Sequence, residues 1–190
     1  HLSGSASAFY ILCRDQQITI FPPGMSTGRM MANVGSSRSL GAEATLSYGY
    51  KGFSASAAYG YTDARFTHYN DGNHDYSGNR IPYSPEHTLN CRIGYVHPFL
   101  NSAIIRNISV NADCSAIGRI WWDEANEFVE PFTAQVGADI SISFHKFDLR
   151  FRMDNLLNED YNVFYFKSVG NSFFQRGKPL RWNVGISIAL

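Results

Sequence analysis

The chain has 190 residues and a mass of 21.3 kDa, enough for one domain or for part of a larger one. Its 16 basic residues balance its 16 acidic residues, so net charge gives no argument for a nucleic-acid partner. Charged residues make up 17% of the chain and aromatic residues 15%, which excludes a coiled coil and a disordered tail. Cys13, Cys91 and Cys114 are too few and too far apart for a disulfide scaffold or a zinc site.

The chain contains no run of about 18 apolar residues, so no transmembrane helix is predicted. Its first residues have neither the basic start nor the apolar centre of a signal peptide. An exported protein needs such a peptide. We therefore expect either that it has been removed or that the chain is an interior piece of a longer product.

Apolar and polar residues alternate with a period of two through most of the chain, which predicts strands. The clearest case is the last strand, where Trp182, Val184 and Ile186 alternate with Asn183 and Gly185. In chain order, the strands are predicted over residues 5–13, 42–50, 53–61, 89–97, 108–122, 132–144, 147–153 and 182–190. The first of these runs is apolar on both sides, so no inner or outer face is assigned to it.

The two faces of the other predicted strands differ in chemistry, because charged residues occur on only one of them. That polar face is rich in Ser, Thr, Asn, Gly and Arg, which suits the wet interior of a barrel better than the outside of a soluble sandwich. A Lys or Arg facing lipid would cost about 2–4 kcal/mol near the bilayer midplane, which explains the uncharged face. The charged residues predicted to face the lumen are Glu43, Arg92, Asp113, Arg119, Asp139, Asp148, Arg150 and Arg152.

The connections between the predicted strands alternate between long and short. The long ones lie near residues 22–29, 67–86, 123–130 and 157–178, and the short ones near 51–52, 98–103 and 145–146. An outer-membrane barrel has long extracellular loops and short periplasmic turns, so alternation of this kind is typical of it. The pattern predicts an all-β, antiparallel transmembrane β-barrel of about eight strands in the bacterial outer membrane.

Aromatic residues cluster near the ends of the predicted strands on the apolar face, as they do in the girdles of a membrane barrel. They are Tyr48, Tyr50, Tyr59, Tyr61, Tyr95, Trp122, Phe132, Phe144, Phe147 and Trp182. The alternative is that they belong to the core of a soluble protein.

Four segments, in order along the chain, resemble motifs of the TonB-dependent outer-membrane receptors. They are residues 33–43, which match NxGxxRxxGxE; residues 61–66 with 78–82 and 85–87; residues 155–158 with Tyr161, which match NLxNxxY; and the terminal residues 183–190. The chain departs modestly from the family motifs in two places. Ile188 and Leu190 stand where the family usually has aromatic residues, and residues 176–179 only approximate the Pro-Gly-Arg before the last strand.

The resemblance implies a barrel of about 22 strands around an N-terminal plug, which imports a scarce nutrient with energy from TonB. Siderophores, haem, cobalamin and glycans are the usual nutrients of this family. We therefore expect residues 1–190 to be the C-terminal part of such a barrel, with the plug domain and the N-terminal strands absent. The expected partners are outer-membrane lipid, the rest of the barrel and its plug, TonB through the absent N-terminal part, and a small nutrient ligand. The lumen charges would then meet the plug.

No nucleophile elbow, phosphate loop, HExxH or CxxC motif occurs, so no enzymatic activity, cofactor or metal site is predicted. Residues 71–75 resemble the start of a calcium loop, but Tyr76 replaces the sharp-turn glycine and the twelfth position lacks a glutamate. His68, His74 and His87 are the remaining candidates for metal or haem ligation, although isolated loop histidines are more often solvated.

Ligand contacts are predicted in the extracellular loops, where aromatic side chains and one histidine offer a surface. The candidate ligand-binding residues are Tyr69, His74, Tyr76, Trp121, Trp122, Phe164, Tyr165 and Phe166. Packing within the loops or a place in the girdle is the alternative role for them. Elsewhere, Cys91 and Cys114 are predicted nearly opposite each other on outward positions, as either a disulfide or two free thiols.

Two functions remain open at this point. The first is a component of a TonB-dependent receptor for nutrient uptake. The second is a self-contained eight-stranded barrel that acts as an adhesin, an anchor or a minor pore, since eight strands are enough to close a barrel. A soluble lipocalin-like carrier fits poorly, because the apolar face carries no charge and the long loops share one end.

Overall fold

The computed structural model describes residues 1–20, 30–168 and 171–188 of the chain. The predicted loop over 22–29 and residues 189–190 lie outside these described residues. Within them the regular elements are strands, and no helix there is long and apolar enough to cross a membrane. In chain order the strands are β1 (Leu2–Ile20), β2 (Met30–Tyr50), β3 (Phe53–Tyr69), β4 (His87–Pro98), β5 (Ile105–Ile117), β6 (Ile120–Trp121), β7 (Val129–Glu130), β8 (Thr133–Phe144), β9 (Phe147–Asp154), β10 (Asn162–Ser168), β11 (Asn171–Arg176) and β12 (Arg181–Ile188).

The eight long strands form one sheet in the order β1-β2-β3-β4-β5-β8-β9-β12, and each neighbouring pair in it is antiparallel. The prediction of an all-β, antiparallel fold with about eight strands is therefore confirmed. The remaining strands form two small ribbons, β6 with β7 and β10 with β11. Both ribbons belong to connections at the end of the sheet that carries the long loops.

β2 and β3 extend further toward the long-loop end than the alternation predicts. β2 begins at Met30 instead of near residue 42, and β3 continues past residue 61 to Tyr69. In these extensions, charged residues such as Asp63 and Arg65 occupy the face that is apolar further down the strand. The backbone pairing of these strands continues past the part of the sheet where one face must be apolar. The alternation of apolar and polar residues therefore stops before the strand ends. Conversely, the predicted strand 108–122 is interrupted after Ile117.

The turn between β2 and β3 shows how the short connections reverse the chain. Tyr50 pairs with Phe53, and the two residues between them have positive φ angles, 43° at Lys51 and 83° at Gly52. Positive φ at both central residues defines a type I′ turn, whose twist matches that of the flanking strands. The predicted tight turn at 51–52 is therefore present in the structure.

The apolar face of the sheet is exposed across its whole width. Its exposed side chains include Leu46, Tyr48, Tyr50, Phe53, Tyr59, Ile93, Tyr95, Val110, Ile140, Phe147, Phe151, Trp182, Val184, Ile186 and Ile188. A continuous apolar surface of this size is foreign to a water-soluble protein and marks contact with lipid or with another protein.

The polar face is concave. A hollow of about 670 Å³ is lined by polar-face residues from strands that are not neighbours in the sheet, including Thr45 of β2, Arg92 of β4 and Arg150 of β9. One hollow can touch all three strands only if the sheet curls around it. The curvature is that of a barrel wall, with the polar face on the inside.

The sheet is open over the described residues. β1 pairs only with β2 and β12 pairs only with β9 there, so no ladder joins the first strand to the last. Each of these strands presents one row of unpaired backbone N–H and C=O groups. Inside a bilayer such groups must find backbone partners, because neither water nor lipid can satisfy them at that depth.

Candidate functional site

The charged residues of the concave face converge on Arg152 in β9. Its Nη1 atom lies 2.8 Å from Oδ1 of Asp113, and its Nη2 atom lies 3.1 Å from Oδ2 of the same carboxylate. The Nε atom donates to Asp154 at 2.7 Å, and Nη1 lies 3.3 Å from Asp139. A single guanidinium thus binds three carboxylates, using its planar set of donors in a way that an ammonium group cannot.

Asp139 of β8 links this arginine to the rest of the cluster. Its side chain is only 2% exposed, and it accepts hydrogen bonds from Arg150 at 2.8 Å and from Asn111 at 2.9 Å. Arg92 of β4 approaches the same carboxylate at 3.7 Å. At the other side, Arg181 of β12 lies 3.2 Å from Asp154. We call this set, Arg92, Asn111, Asp113, Asp139, Arg150, Arg152, Asp154 and Arg181, the concave-face cluster.

The concave-face cluster brings together five of the eight residues predicted to face the lumen: Arg92, Asp113, Asp139, Arg150 and Arg152. The other three lie elsewhere, since Arg119 pairs with Glu86, Asp148 pairs with Arg106, and Glu43 is the cross-strand partner of Gly60. Arg181 and Asn111 did not stand out in the sequence. Only the register of β12 on β9 and of β5 on β8 places them against these aspartates.

Beyond β9 the chain forms a turn around the buried side chain of Asn155. Its side chain accepts a hydrogen bond from the backbone N–H of Glu159 at 2.9 Å and donates to the carbonyls of Glu159 and Lys178 at 2.9 and 3.0 Å. The residue is 4% exposed and has a φ of 52°, a conformation that asparagine tolerates better than most residues. Asn158 continues the link, because its Oδ1 atom accepts from the N–H of Leu180 at 3.0 Å.

Tyr161 completes this turn and explains the glycine at position 177. The tyrosine hydroxyl donates to Gln135 at 3.0 Å, and its backbone carbonyl accepts from the N–H of Gly177 at 2.7 Å. A Cβ atom at residue 177 would lie within 2.4 Å of three atoms of the tyrosine ring. The residues that match NLxNxxY therefore fasten the segment before β12 to the end of β9.

Three of the long connections, those that follow β3, β5 and β9, pack together at one end of the sheet through an aromatic core. Tyr165 of β10 is 1% exposed and stacks on Phe128 with a ring separation of 4.7 Å. Phe174 of β11 also packs against it, with a ring separation of 4.8 Å. The Tyr165 hydroxyl lies 3.2 Å from that of Ser172. The β10–β11 ribbon is therefore anchored to the connection between β5 and β8.

Tyr83 joins three of these connections at one point. Its hydroxyl donates to the carbonyl of Tyr165 at 2.6 Å, and its N–H donates to the carbonyl of Trp121 at 2.8 Å. The ring packs against Trp122 at 5.4 Å and Phe164 at 5.8 Å. The φ of Tyr83 is 60°, a region that a bulky residue occupies only when its surroundings hold it there.

Replacing Tyr83 by phenylalanine is expected to loosen the β10–β11 ribbon while leaving the sheet intact. The ring contacts remain, but the carbonyl of Tyr165 loses its donor, at a cost of about 0.5–1 kcal/mol for a partly exposed bond. Hydrogen–deuterium exchange should become faster in residues 162–176 and stay unchanged in β2 and β3. Equal exchange in the two proteins would show that the hydroxyl does not hold the ribbon.

The same hydrogen bond has a predictable pH dependence. Partial burial and the negative charge of Glu124 raise the pKa of Tyr83 above its ordinary value. The neutral, donating hydroxyl is therefore stabilised in the folded protein, and its contribution is lost only as the pH rises through this raised pKa. Once the base-catalysed rise of intrinsic exchange is divided out, the protection of the ribbon amides should stay unchanged at a pH where an ordinary tyrosine, with a pKa of about 10, ionises.

Two further sets of part-buried hydrogen bonds connect the loops to one another. Both carboxylate oxygens of Glu130, which is 7% exposed, accept hydrogen bonds from Asn162 at 2.9 Å. Asn126 exchanges hydrogen bonds with the backbone of Arg80, at 2.8 and 3.0 Å. Neither pair has a sequence signal, because the partners are 32 and 46 residues apart.

In residues 71–75, the segment that resembles a calcium loop, backbone N–H groups of the same segment donate hydrogen bonds to the side-chain oxygen of Asp71. Oδ1 of Asp71 accepts from the backbone N–H groups of Asn73 and His74 at 2.8 and 2.7 Å. Burial disfavours the charged form of Asp71, but these bonds outweigh it and lower the pKa of the carboxyl. Burial and the nearby Asp71 raise the pKa of Tyr76 to about 12. Over the described residues, no group of three or more His, Cys, Asp or Glu side chains is arranged to hold a metal ion.

The predicted ligand-binding residues divide by accessibility. Tyr69, Trp122 and Tyr165 are buried, and in this arrangement their side chains contact protein. Tyr76 and Trp121 are half-buried, whereas His74, Phe164 and Phe166 are exposed. The indole Nε1 atoms of Trp121 and Trp122 are buried without a hydrogen-bond partner among the described residues. The ligand-binding role of the whole set stays a prediction, and the exposed members are the ones that a ligand would reach first.

Cys91 and Cys114 are direct cross-strand partners in β4 and β5, as the turn position predicted. Both are free thiols in the structure. They lie on the face that also carries Leu89 and Ile93, so the pair belongs to the apolar surface and not to the concave-face cluster.

These features define the class of the protein: a section of an antiparallel β-barrel wall with an apolar outer face, a charged inner face and long, interlocked loops at one end. The sequence model of the TonB dependent receptor-like β-barrel family matches residues 1–156. The chain belongs to this family, whose members are outer-membrane transport receptors and not enzymes.

Solved structures of several receptors share this fold. The chain matches the ferric yersiniabactin uptake receptor FyuA from Yersinia pestis over 97% of its own length and 27% of that protein, with 18% identity and a TM-score of 0.78. It matches the siderophore receptor PiuA from Acinetobacter baumannii over 98% of its own length and 26% of that protein, with 20% identity and a TM-score of 0.73. It matches BauA, the ferric preacinetobactin receptor of the same species, over 97% of its own length and 27% of that protein, with 16% identity and a TM-score of 0.67. The chain thus spans about a quarter of the length of these receptors.

Proposed function

We propose that the chain forms part of the wall of a receptor in the bacterial outer membrane that takes up a scarce nutrient with energy from TonB. The family match over residues 1–156 carries this proposal. Ferric siderophores are the first candidate for the nutrient, because receptors named for them share the fold of the chain. Haem, cobalamin and glycans are the other candidates.

The exposed apolar face supports a place in the membrane. It is bounded by aromatic residues near both ends of the strands, such as Phe53 and Tyr95 at one end and Tyr59 and Tyr61 at the other. Phe53 and Tyr61 are about 26 Å apart along β3 at a rise of about 3.3 Å per residue. A strand tilted by about 40° then covers about 20 Å of membrane, close to the apolar band of about 25 Å in outer-membrane barrels.

The concave-face cluster is proposed to contact a plug inside the complete barrel. Four guanidiniums, of Arg92, Arg150, Arg152 and Arg181, share the carboxylates of Asp113, Asp139 and Asp154, which leaves one positive charge in excess. Arg92 and Arg150 are about half exposed toward the hollow. They can bind acidic groups of a plug without breaking the pairs beneath them.

The open edges of the sheet support the proposal that residues 1–190 are one portion of a larger barrel. The unpaired side of β1 would continue into further N-terminal strands, and the unpaired side of β12 would close on the first strand of the whole barrel. A barrel of about 22 strands satisfies both edges. In this view the plug and the TonB-contacting segment belong to parts of the protein outside this chain.

Uptake by cells that produce the receptor containing this chain tests the nutrient proposal. Cells should accumulate one radiolabelled substrate from a panel of ferric catecholate and hydroxamate siderophores, haem and cobalamin. Accumulation should disappear when TonB is deleted or the proton-motive force is collapsed. A cell that accumulates the same amount without TonB would contradict the proposed energy source.

A second measurement separates this function from that of a self-contained barrel. The isolated 190-residue chain, refolded in detergent, is expected to migrate on a gel at the same position before and after boiling, because an open sheet does not form a compact closed barrel. Faster migration of the unboiled chain would mean that it closes alone. That outcome would favour the adhesin, anchor or minor-pore alternative.

A further inference from the structure

Three arginines lie side by side across neighbouring elements of the sheet, above its apolar part. Arg38 of β2 is the direct cross-strand partner of Arg65 in β3, and Arg65 forms an antiparallel bridge with Arg80 in the following connection. Like charges placed directly opposite each other in a sheet are destabilising. The row formed by Arg38, Arg65 and Arg80, which we call the arginine row, therefore needs negative charge nearby.

Asp63 supplies part of that charge. Its carboxylate lies 2.9 Å from Nε of Arg65, 3.3 Å from Nη1 of Arg80 and 3.8 Å from Nη2 of Arg38. One carboxylate is thus shared by all three guanidiniums.

Glu86 is the second carboxylate at this place, and it is also shared. It forms an ion pair with Arg80, and its Oε2 atom lies 3.3 Å from Nε of Arg119. Four guanidiniums therefore share two carboxylates, which leaves two positive charges unmatched. Arg80 is well covered, whereas Arg38 and Arg65 have 38% and 37% of their side chains exposed.

The arginine row faces outward. Side chains two residues apart in a strand share a face, so Arg65 and Asp63 lie on the same face as Tyr61 and Tyr59 of the aromatic girdle. The same rule places Arg38 on the outward face of β2. The row is therefore on the side of the wall that meets the membrane, away from the lumen and from any plug or nutrient inside it.

The height of the row matches the headgroup layer. Arg65 lies four residues beyond Tyr61, which is about 13 Å along a strand at about 3.3 Å per residue. With a tilt of about 40°, the row lies about 10 Å outside the girdle. Polar headgroups extend about 5–8 Å beyond the hydrocarbon on each side of a bilayer, and long arginine side chains can bridge the remaining distance.

We propose that the arginine row binds the phosphate groups of a phosphorylated lipid in the outer leaflet of the membrane. Guanidinium groups bind phosphate through paired, charge-assisted hydrogen bonds, and two such groups side by side match an anion better than one. A bound phosphate would also supply the negative charge that the row lacks. This inference rests on the proposed membrane orientation of the chain, but it does not depend on which nutrient the receptor imports.

The test uses the whole receptor that contains this chain, in nanodiscs of phosphatidylcholine with a small fraction of diphosphorylated lipid A. Native mass spectrometry counts the lipid A molecules that stay bound. The double variant R38Q/R65Q is expected to weaken lipid A binding about tenfold or more, since it removes at least one charge-assisted hydrogen bond from each site. Asp63→Asn should have the opposite effect and strengthen binding, because it removes the competing carboxylate.

The matched control is Arg106→Gln. Arg106 is 49% exposed, somewhat more than Arg38 and Arg65, and has one carboxylate partner, Asp148 at 3.3 Å, but it lies at the short-turn end of the sheet. Its replacement should leave lipid A binding unchanged. Competition by inorganic phosphate in the same assay separates a lipid site from a site for soluble anions, and no displacement is expected at millimolar phosphate.

Three results would overturn the proposal: equal lipid A binding by the wild type and R38Q/R65Q, an equal loss in Arg106→Gln, or displacement by inorganic phosphate. If R38Q/R65Q fails to fold, the Asp63→Asn variant decides, and unchanged binding by that variant rejects the site. Uptake of the nutrient is measured separately. A receptor that transports normally but retains no lipid A would refute this inference and leave the proposed function intact.

Discussion

Replacing Arg152 by methionine is expected to destabilise the barrel wall by about 2–4 kcal/mol, because three carboxylates lose the cation they share. Asp139 is almost fully buried and Asp113 and Asp154 are less than a third exposed, so water replaces the arginine poorly. Urea unfolding of the receptor in lipid vesicles, followed by tryptophan fluorescence, measures the free energy. The free energy of unfolding of Arg152→Lys should fall between those of Arg152→Met and the wild type, since lysine keeps the charge but loses the paired bonds to Asp113.

Arg176→Met is the matched control for this prediction. Arg176 pairs with Asp160 at 2.6 Å, a distance as short as any in the cluster, but both side chains are about 70% exposed. An exposed pair contributes about 1 kcal/mol at most. If Arg152→Met and Arg176→Met destabilise the receptor equally, the concave-face cluster is not a stabilising unit.

Asn155→Ala is expected to cost about 2–5 kcal/mol and to weaken the pairing of β12 with β9. Alanine cannot replace the three side-chain hydrogen bonds to Glu159 and Lys178, and it also occupies a φ of 52° less readily. The yield of heat-modifiable, folded receptor and its urea midpoint should both fall. Asn155→Gly loses the same three hydrogen bonds but adopts a φ of 52° without strain, so a large deficit in the glycine variant as well would show that the hydrogen bonds carry most of the effect.

The control for this turn is Asn101→Ala, at an exposed asparagine in the connection between β4 and β5. It should change the urea midpoint little, because surface substitutions away from specific contacts usually lie within about 0.5 kcal/mol of the wild type. A loss as large as that of Asn155→Ala would mean that the receptor is sensitive to any asparagine in a turn. The proposed fastening of β12 would then be wrong.

Much of the fold is predictable from residue patterns. Alternation of apolar and polar residues predicts the eight long strands, and the alternating loop lengths predict their antiparallel order. The alternation of apolar and polar residues fails to predict a strand where neither of its faces needs to be apolar. β2 and β3 continue beyond the apolar belt with Arg38, Asp63 and Arg65, and no alternation marks them because both faces there are free to be polar.

The candidate sites are less predictable. The face of each charged residue follows from its parity, but its partner depends on register, as with Arg152 and Asp113, which lie 39 residues apart. Which loop residues are buried is even harder to predict from the sequence than which charges pair. Tyr165 and Phe166 are adjacent aromatic residues, yet the first is 1% exposed and the second 42% exposed. Nothing local distinguishes them, since Phe128 and Phe174 cover Tyr165 only after the loops have packed.

The sequence by itself determined the strand content, the two chemically different faces and the end at which the long loops lie, because those features depend on the apolar or polar character of residues that are close together in the chain. The tertiary structure decided which charges meet, which loop aromatics are buried and that Arg38, Arg65 and Arg80 form one outward row. Those outcomes depend on the register between strands and on packing among distant loops. A shift of two residues would keep every side chain on its face and change every partner.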